Sequence, residues 1–153
     1  MHPLIQSAAR VATVAGILAT TVLTGTSAQA ASGGGCTEYS SGVRPERYID
    51  FRACISAPKV GVGRPDAYLT LRAGHPACKV YIRAVRTGGS RVVSNKVHNC
   101  PAGAVRMKRF TAPDFKDNHH EYGEAYATYF QIRWSDGDWA PQYPYRSPWL
   151  KLP

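Results

Sequence analysis

Three features of the chain predict an all-β protein. Apolar and polar residues alternate with the period of a strand through residues 47–56, 78–86 and 124–134. Turn sequences follow two of these runs, Thr87-Gly-Gly-Ser90 and Ser135-Asp-Gly-Asp138. Four cysteines, Cys36, Cys54, Cys78 and Cys100, stand in a chain that opens with an export-type segment, and an even number in that setting points to two disulfides. With about seven short strands and no amphipathic helix or internal repeat, the pattern gives a small antiparallel β-sandwich, immunoglobulin-like, behind a signal peptide.

Residues 1–30 read as that signal. Arg10 precedes an apolar run over residues 11–23, and Ala28-Gln29-Ala30 supplies small residues for cleavage. The run is shorter than the roughly 20 apolar residues of a membrane-crossing helix, so no span is expected after cleavage. Cys36 lies beyond the cleavage site behind Gly33-Gly34-Gly35, which is the wrong setting for a lipid-modified first cysteine. Of 153 residues, 123 remain after removal of the signal, enough for one domain. The chain therefore divides into a signal (1–30), a leader tied down by a disulfide (31–46) and the sandwich (47–153). Residues 31–35 are expected to be disordered.

Positive charge sets the partner class. Losing Arg10 with the signal leaves 18 basic against 10 acidic residues, a formal charge of +8. Residues 44–116 hold 15 bases and 4 acids, whereas residues 117–138 hold five acids and one base, Arg133. Such a balance favours anionic partners, and equally serves solubility alone.

The first clear strand places Ile49, Phe51, Ala53 and Ile55 on one face. Ala57-Pro-Lys-Val-Gly-Val-Gly-Arg-Pro65 carries two prolines and two glycines and is expected to be a loop or an irregular edge. Ala67-Tyr-Leu-Thr-Leu-Arg72 is a second strand. Residues 78–100 form a hairpin whose ends suit a Cys78–Cys100 bond; of the three possible pairings, that bond with Cys36–Cys54 is preferred. A two-residue turn sets Val80 against Val97, Ile82 against Asn95 and Ala84 against Val93, leaving Lys79, Tyr81, Arg83, Lys96 and His98 outside. A three-residue turn would set Cys78 against Cys100, so a bulge near Asn99 is expected to reconcile the two.

Residues 102–110 give a strand with Val105 and Met107 on one side and Arg106 and Lys108 on the other. The run over residues 111–122 loses periodicity and reads as a surface loop. In the longest strand, 124–134, Phe130, Ile132 and Trp134 point one way, and the Asp136-Gly137 turn pairs Trp134 with Trp139. Pro141, Pro144 and Pro148 make the return arm an edge strand that leaves early. A short last strand fits residues 147–152.

The export signal, the cysteine within Arg52-Ala-Cys-Ile55, the Cys78 to Cys100 hairpin and the closing Ser147-Pro-Trp-Leu-Lys-Leu152 resemble the small secreted proteins of unassigned function found in actinobacteria. That resemblance spans most of the mature chain. It implies a secreted sandwich and carries no catalytic residue across.

Three constellations could carry function. Lys79, Arg83 and Lys96 share the outer face of the expected hairpin, and Arg106 and Lys108 join them if the next strand pairs alongside. Trp134, Trp139, Tyr143, Tyr145 and Trp149 offer either a platform for sugar rings or core material. His119 and His120, beside Asp117 and Glu121, are metal-ligand types, but adjacent histidines on an extended chain point apart. No metal or cofactor is expected. There is no Gly-x-Ser-x-Gly elbow and no phosphate loop, and oxidised cysteines are not nucleophiles. The expectation is a secreted, monomeric, non-enzymatic protein whose basic face, with Trp134 and Trp139, binds anionic cell-wall polymer or another extracellular macromolecule. One alternative is an inhibitor of a secreted hydrolase presenting residues 57–65 through Lys59 and Arg64. Another is a small hydrolase or nuclease using His119, His120 and Glu121.

Overall fold

The computed structural model describes residues 31–41, 49–88, 91–117 and 124–153. The signal segment and the His119, His120 and Glu121 group lie outside the described residues. Among the described residues twelve strands follow in order: β1 (Ser32–Gly33), β2 (Gly35–Cys36), β3 (Ser40–Ser41), β4 (Ile49–Lys59), β5 (Val62–Leu71), β6 (Cys78–Arg86), β7 (Val92–Asn99), β8 (Val105–Thr111), β9 (Phe115–Lys116), β10 (Tyr126–Trp134), β11 (Trp139–Arg146) and β12 (Leu150–Lys151). Among the described residues no helix is long and apolar enough to cross a membrane.

Two antiparallel sheets pack face to face. One runs β4-β5-β8, with β2 and β3 along β4 and β9 along β5; the other runs β7-β6-β10, with β11 and β12 along β10 and β1 outside β12. Among the seven long strands this is an immunoglobulin-type sandwich in which the fourth strand, β7, has joined the third rather than the fifth. Alternate residues fill the core: Ile49, Phe51 and Ala53 from β4, Leu69 and Leu71 from β5, Val80 and Ile82 from β6, and Phe130, Ile132 and Trp134 from β10. Phe51 stacks on Phe130 at 5.3 Å and meets Tyr145 edge-on at 5.0 Å, so aromatic contacts bridge the two sheets.

Both expected disulfides form, and both lie within a sheet. Cys36 stands opposite Cys54 in the β2–β4 ladder, and Cys78–Cys100 closes the base of the β6–β7 hairpin, where the Cys100 N–H donates to the Cys78 carbonyl at 2.9 Å.

Residues 31–35, expected to be disordered, instead contribute to two strands. β1 pairs with β12 in one sheet and β2 with β4 in the other, so Gly34 crosses between the sheets and donates its N–H to the Trp149 carbonyl at 2.7 Å. Gly34 has φ +78°, and a Cβ there would stand 2.9 Å from the Ile55 carbonyl oxygen. Only glycine combines that backbone with that approach, so the run that looked like a flexible spacer closes the sandwich edge.

Residues 57–65 likewise form no loop. β4 continues to Lys59 and β5 begins at Val62, leaving Val60 and Gly61 as the turn. Pro58 falls at the register shift between Ser56 and Lys59. Pro65 directs its carbonyl at the Ala112 N–H, and hence its missing N–H also toward the gap between β8 and β9, where no ladder bond is lost. The inhibitor reading thus loses its presented loop; a two-residue tip remains.

The β6–β7 register follows the disulfide. Lys79 stands opposite Asn99, Tyr81 opposite Val97, Ile82 opposite Lys96 and Ala84 opposite Ser94, one residue from the expected pairing. The irregularity sits by the turn, between Ala84 and Val85, rather than near Asn99. A bond across Cys78 and Cys100 fixes the open end, so the extra residue is absorbed at the turn.

Candidate functional site

That one-residue slip decides which charges share a face, because each strand residue points opposite to its neighbours. Lys96 stands opposite core-facing Ile82, on the same side of β7 as Ser94 and His98, and therefore away from Lys79 and Arg83. Ser94 donates to the Pro113 carbonyl at 2.6 Å and His98 Nε2 bonds the Thr111 carbonyl at 2.8 Å, closing the side of the sandwich where Lys96 emerges. The expected set of Lys79, Arg83 and Lys96 is not co-facial.

Arg106 and Lys108 do not extend it either. Their strand pairs with β5 in the opposite sheet. Met107 adopts φ 53° at a bulge, so Lys108 stands opposite core-facing Leu69 and its ammonium reaches over Phe110 at 5.8 Å, while Arg106 lines a hollow with Asp50 and Thr70. The bulge overturns the expected alternation along this strand.

The Trp134–Trp139 pair is also absent. Gly137 takes φ +95°, its N–H donates to the Trp134 carbonyl, and the Trp134 N–H bonds the Asp138 carbonyl. This is a three-residue turn with a glycine bulge, and it sets Trp139 opposite Arg133 instead. Trp134 is core, 2% exposed, whereas Trp139 is 40% exposed on the outer face. The return arm is an edge strand as expected, yet it stays paired to Arg146 through a bulge near Gln131.

Sorting residues by the observed registers assembles a different site on the outer face of the β7-β6-β10-β11 sheet. Lys79, Tyr81 and Arg83 project from β6; opposite them on β10 stand Arg133, Gln131 and Tyr129; Trp139 and Arg146 extend the face on β11. Lys79, Arg83, Arg133 and Arg146 are exposed. None of the four strands contains a carboxylate. Lys79 lies directly across from Arg133 in the register, a like-charge pairing that disfavours the bare sheet.

The aromatic groups hold the guanidinium groups in place. Arg83 lies over Tyr129 at 5.7 Å, Arg133 over Trp139 at 5.5 Å and Arg146 over Trp149 at 4.6 Å, and Tyr81 meets Trp139 at 5.1 Å. A guanidinium stacked on a ring face keeps its N–H fork at its edge, the geometry that pairs with a planar anion.

The opposite sheet treats its cations differently. Arg64 grips Asp114 through two bonds of 2.8 and 2.7 Å, holding that carboxyl below the usual range; Arg109 pairs with Asp66 at 2.7 Å; Arg52 sits between the rings of Tyr39 and Tyr68, 4.8 Å from each. There Arg64 and Arg109 are paired with carboxylates, whereas Arg52, like the outer-face arginines, is held by aromatic rings.

Near the loop expected to gather metal-ligand types, Asp117 is buried and accepts a bond from the Tyr126 hydroxyl at 2.9 Å. Burial, with that bond, pushes the phenol above its ordinary range. Among the described residues no group of three or more metal-ligand types converges.

Fold and site together define the class: a two-disulfide antiparallel β-sandwich, a variant of the immunoglobulin type, with one sheet face whose strands carry cations and aromatic residues and no acid. No protein-family model matches the chain, and no curated protein matches it.

Proposed function

We propose that the protein is exported and acts without catalysis, its β7-β6-β10-β11 outer face holding an anionic polymer of the cell surface or extracellular space. The observation that carries this reading is the direct opposition of Lys79 and Arg133 on a face whose four strands hold no acid. Self-repulsion of that kind is relieved when a polyanion lies across it. The two disulfides and the expected signal segment suit an oxidising, extracellular setting.

Co-sedimentation of the oxidised mature protein with cell walls, before and after removal of their anionic polymer, tests the proposal. Binding falls with salt, disappears with the polymer and is abolished by combining Arg83→Glu with Arg133→Glu, whereas Arg106→Glu with Lys108→Glu leaves it unchanged. Absence of binding at low salt, or equal loss in both double variants, overturns it.

A further inference from the structure

The outer face is not uniform. Residues i and i+2 of a strand are about 7 Å apart, so along β6 Tyr81 stands between Lys79 and Arg83, whose backbone positions are roughly 13 Å apart. Two hollows open on either side of that ring, and Tyr81 lines both. One, of about 670 Å³, lies toward the hairpin base and is lined by Lys79 and Arg133 from the outer face and by the rims of the buried Trp134 and Cys78. The other, of about 320 Å³, lies toward the turn, between Val97 and Trp139, with Arg83 and Tyr129 in its floor. Both volumes fall in the range of sites that take small ring compounds.

Each hollow therefore joins an aromatic wall to a fixed cation. An acidic sugar ring presents that combination in complement: a flat set of C–H groups for the aromatic wall and a carboxylate for the ammonium or guanidinium. A ringless polyanion, such as polyphosphate, satisfies the cations and leaves both hollows empty. The faces of Tyr129 and Trp139 already carry the guanidinium groups of Arg83 and Arg133, so Tyr81 supplies the wall of each hollow. A nucleobase competes for that same wall, and titration with single-stranded DNA separates it from a sugar.

We infer that the face reads an acidic polysaccharide, seating one carboxylated ring in each hollow, with Tyr81 as the shared wall between two subsites. This rests on the polyanion-binding function proposed above and names its ligand class. Lys79 and Arg133 take the carboxylate at the hairpin base and Arg83 takes the one nearer the turn.

The test is calorimetric titration of the oxidised mature protein at low salt with α-1,4-linked galacturonate oligomers of increasing length, polyphosphate of equal charge and single-stranded DNA. Affinity for galacturonate rises until the oligomer spans both hollows and then levels. It exceeds that for polyphosphate by about a hundredfold, about tenfold for each of the two seated rings. Tyr81→Ala removes that advantage and leaves polyphosphate binding unchanged, and Tyr81→Phe retains it. Tyr81→Leu, which keeps apolar bulk without a ring face, provides the same comparison should Tyr81→Ala fail to fold. Equal affinity for the two polyanions, with Tyr81→Ala affecting neither or both alike, overturns the inference and leaves the proposed function standing. Tighter binding of DNA than of galacturonate also overturns it. No binding of any polyanion at low salt overturns the proposed function itself.

Discussion

Salt dependence of polyanion binding counts the cations of the outer face. Each cation that neutralises a charge on a flexible polyanion releases counterions and contributes about −0.7 to the slope of log affinity against log salt. Lys79, Arg83, Arg133 and Arg146 are four such groups on one face, giving a slope of about −2.8. Raising the salt from about 50 to about 200 mM then weakens binding about 50-fold. Arg83→Gln brings the slope to about −2.1 and the loss over the same interval to about 20-fold. Fluorescence anisotropy with an end-labelled sulfated glycan, read across a salt series, measures both slopes. Arg106→Gln, on the opposite sheet, leaves the slope unchanged. A slope shallower than about −1, or one that Arg83→Gln and Arg106→Gln lower equally, refutes the assignment of the site to this face.

Other consequences concern the scaffold. Gly34→Ala places a Cβ 2.9 Å from the Ile55 carbonyl oxygen at φ +78°, so a destabilisation of about 1–3 kcal/mol is expected in urea titration. Replacing Cys78 and Cys100 by Ser releases a loop of separation 22, worth about 3.4 kcal/mol in the chain-entropy account, and lowers the thermal midpoint by roughly 10 °C in calorimetry. Asp114 is depressed by its bond to Arg64, so its contribution to stability is present above the unfolded carboxylate value, about 3.9, and is lost as pH falls through the lower folded value. Asp114→Asn removes that acid-limb slope from a stability series below about pH 4, without altering the slope at neutral pH.

What the sequence reveals here is the part governed by local period. Ile49, Phe51 and Ala53, and Phe130, Ile132 and Trp134, alternate with polar neighbours, and all six are core. Both disulfides follow from the hairpin and from a cysteine set within an early strand. Composition misleads where backbone geometry overrides it: Gly33-Gly34-Gly35 serves a crossing between sheets, and Pro58 and Pro65 sit where β4 and β5 need no donor.

The site was half legible. Tyr129, Gln131 and Arg133 alternate with the three core residues of β10, which marks them as outer-facing. Nothing local, however, says that β10 lies beside β6 while β8 lies in the other sheet; that choice rests on pairings distant in sequence. Register was the second obstacle, since a single residue of slip in β6–β7 sent Lys96 to the far side, and a three-residue turn parted Trp139 from Trp134.

The central claim is that the acid-free face built on β6 and β10 is where the protein meets its polyanion. Amide and indole NMR shifts of the ¹⁵N-labelled mature chain, followed during titration with an acidic oligosaccharide at low salt, test it most directly. Perturbations are expected at Lys79, Tyr81, Arg83, Tyr129 and Arg133 and at the Trp139 indole. Perturbations centred on β4, β5 and β8, or none at saturating ligand, would contradict it.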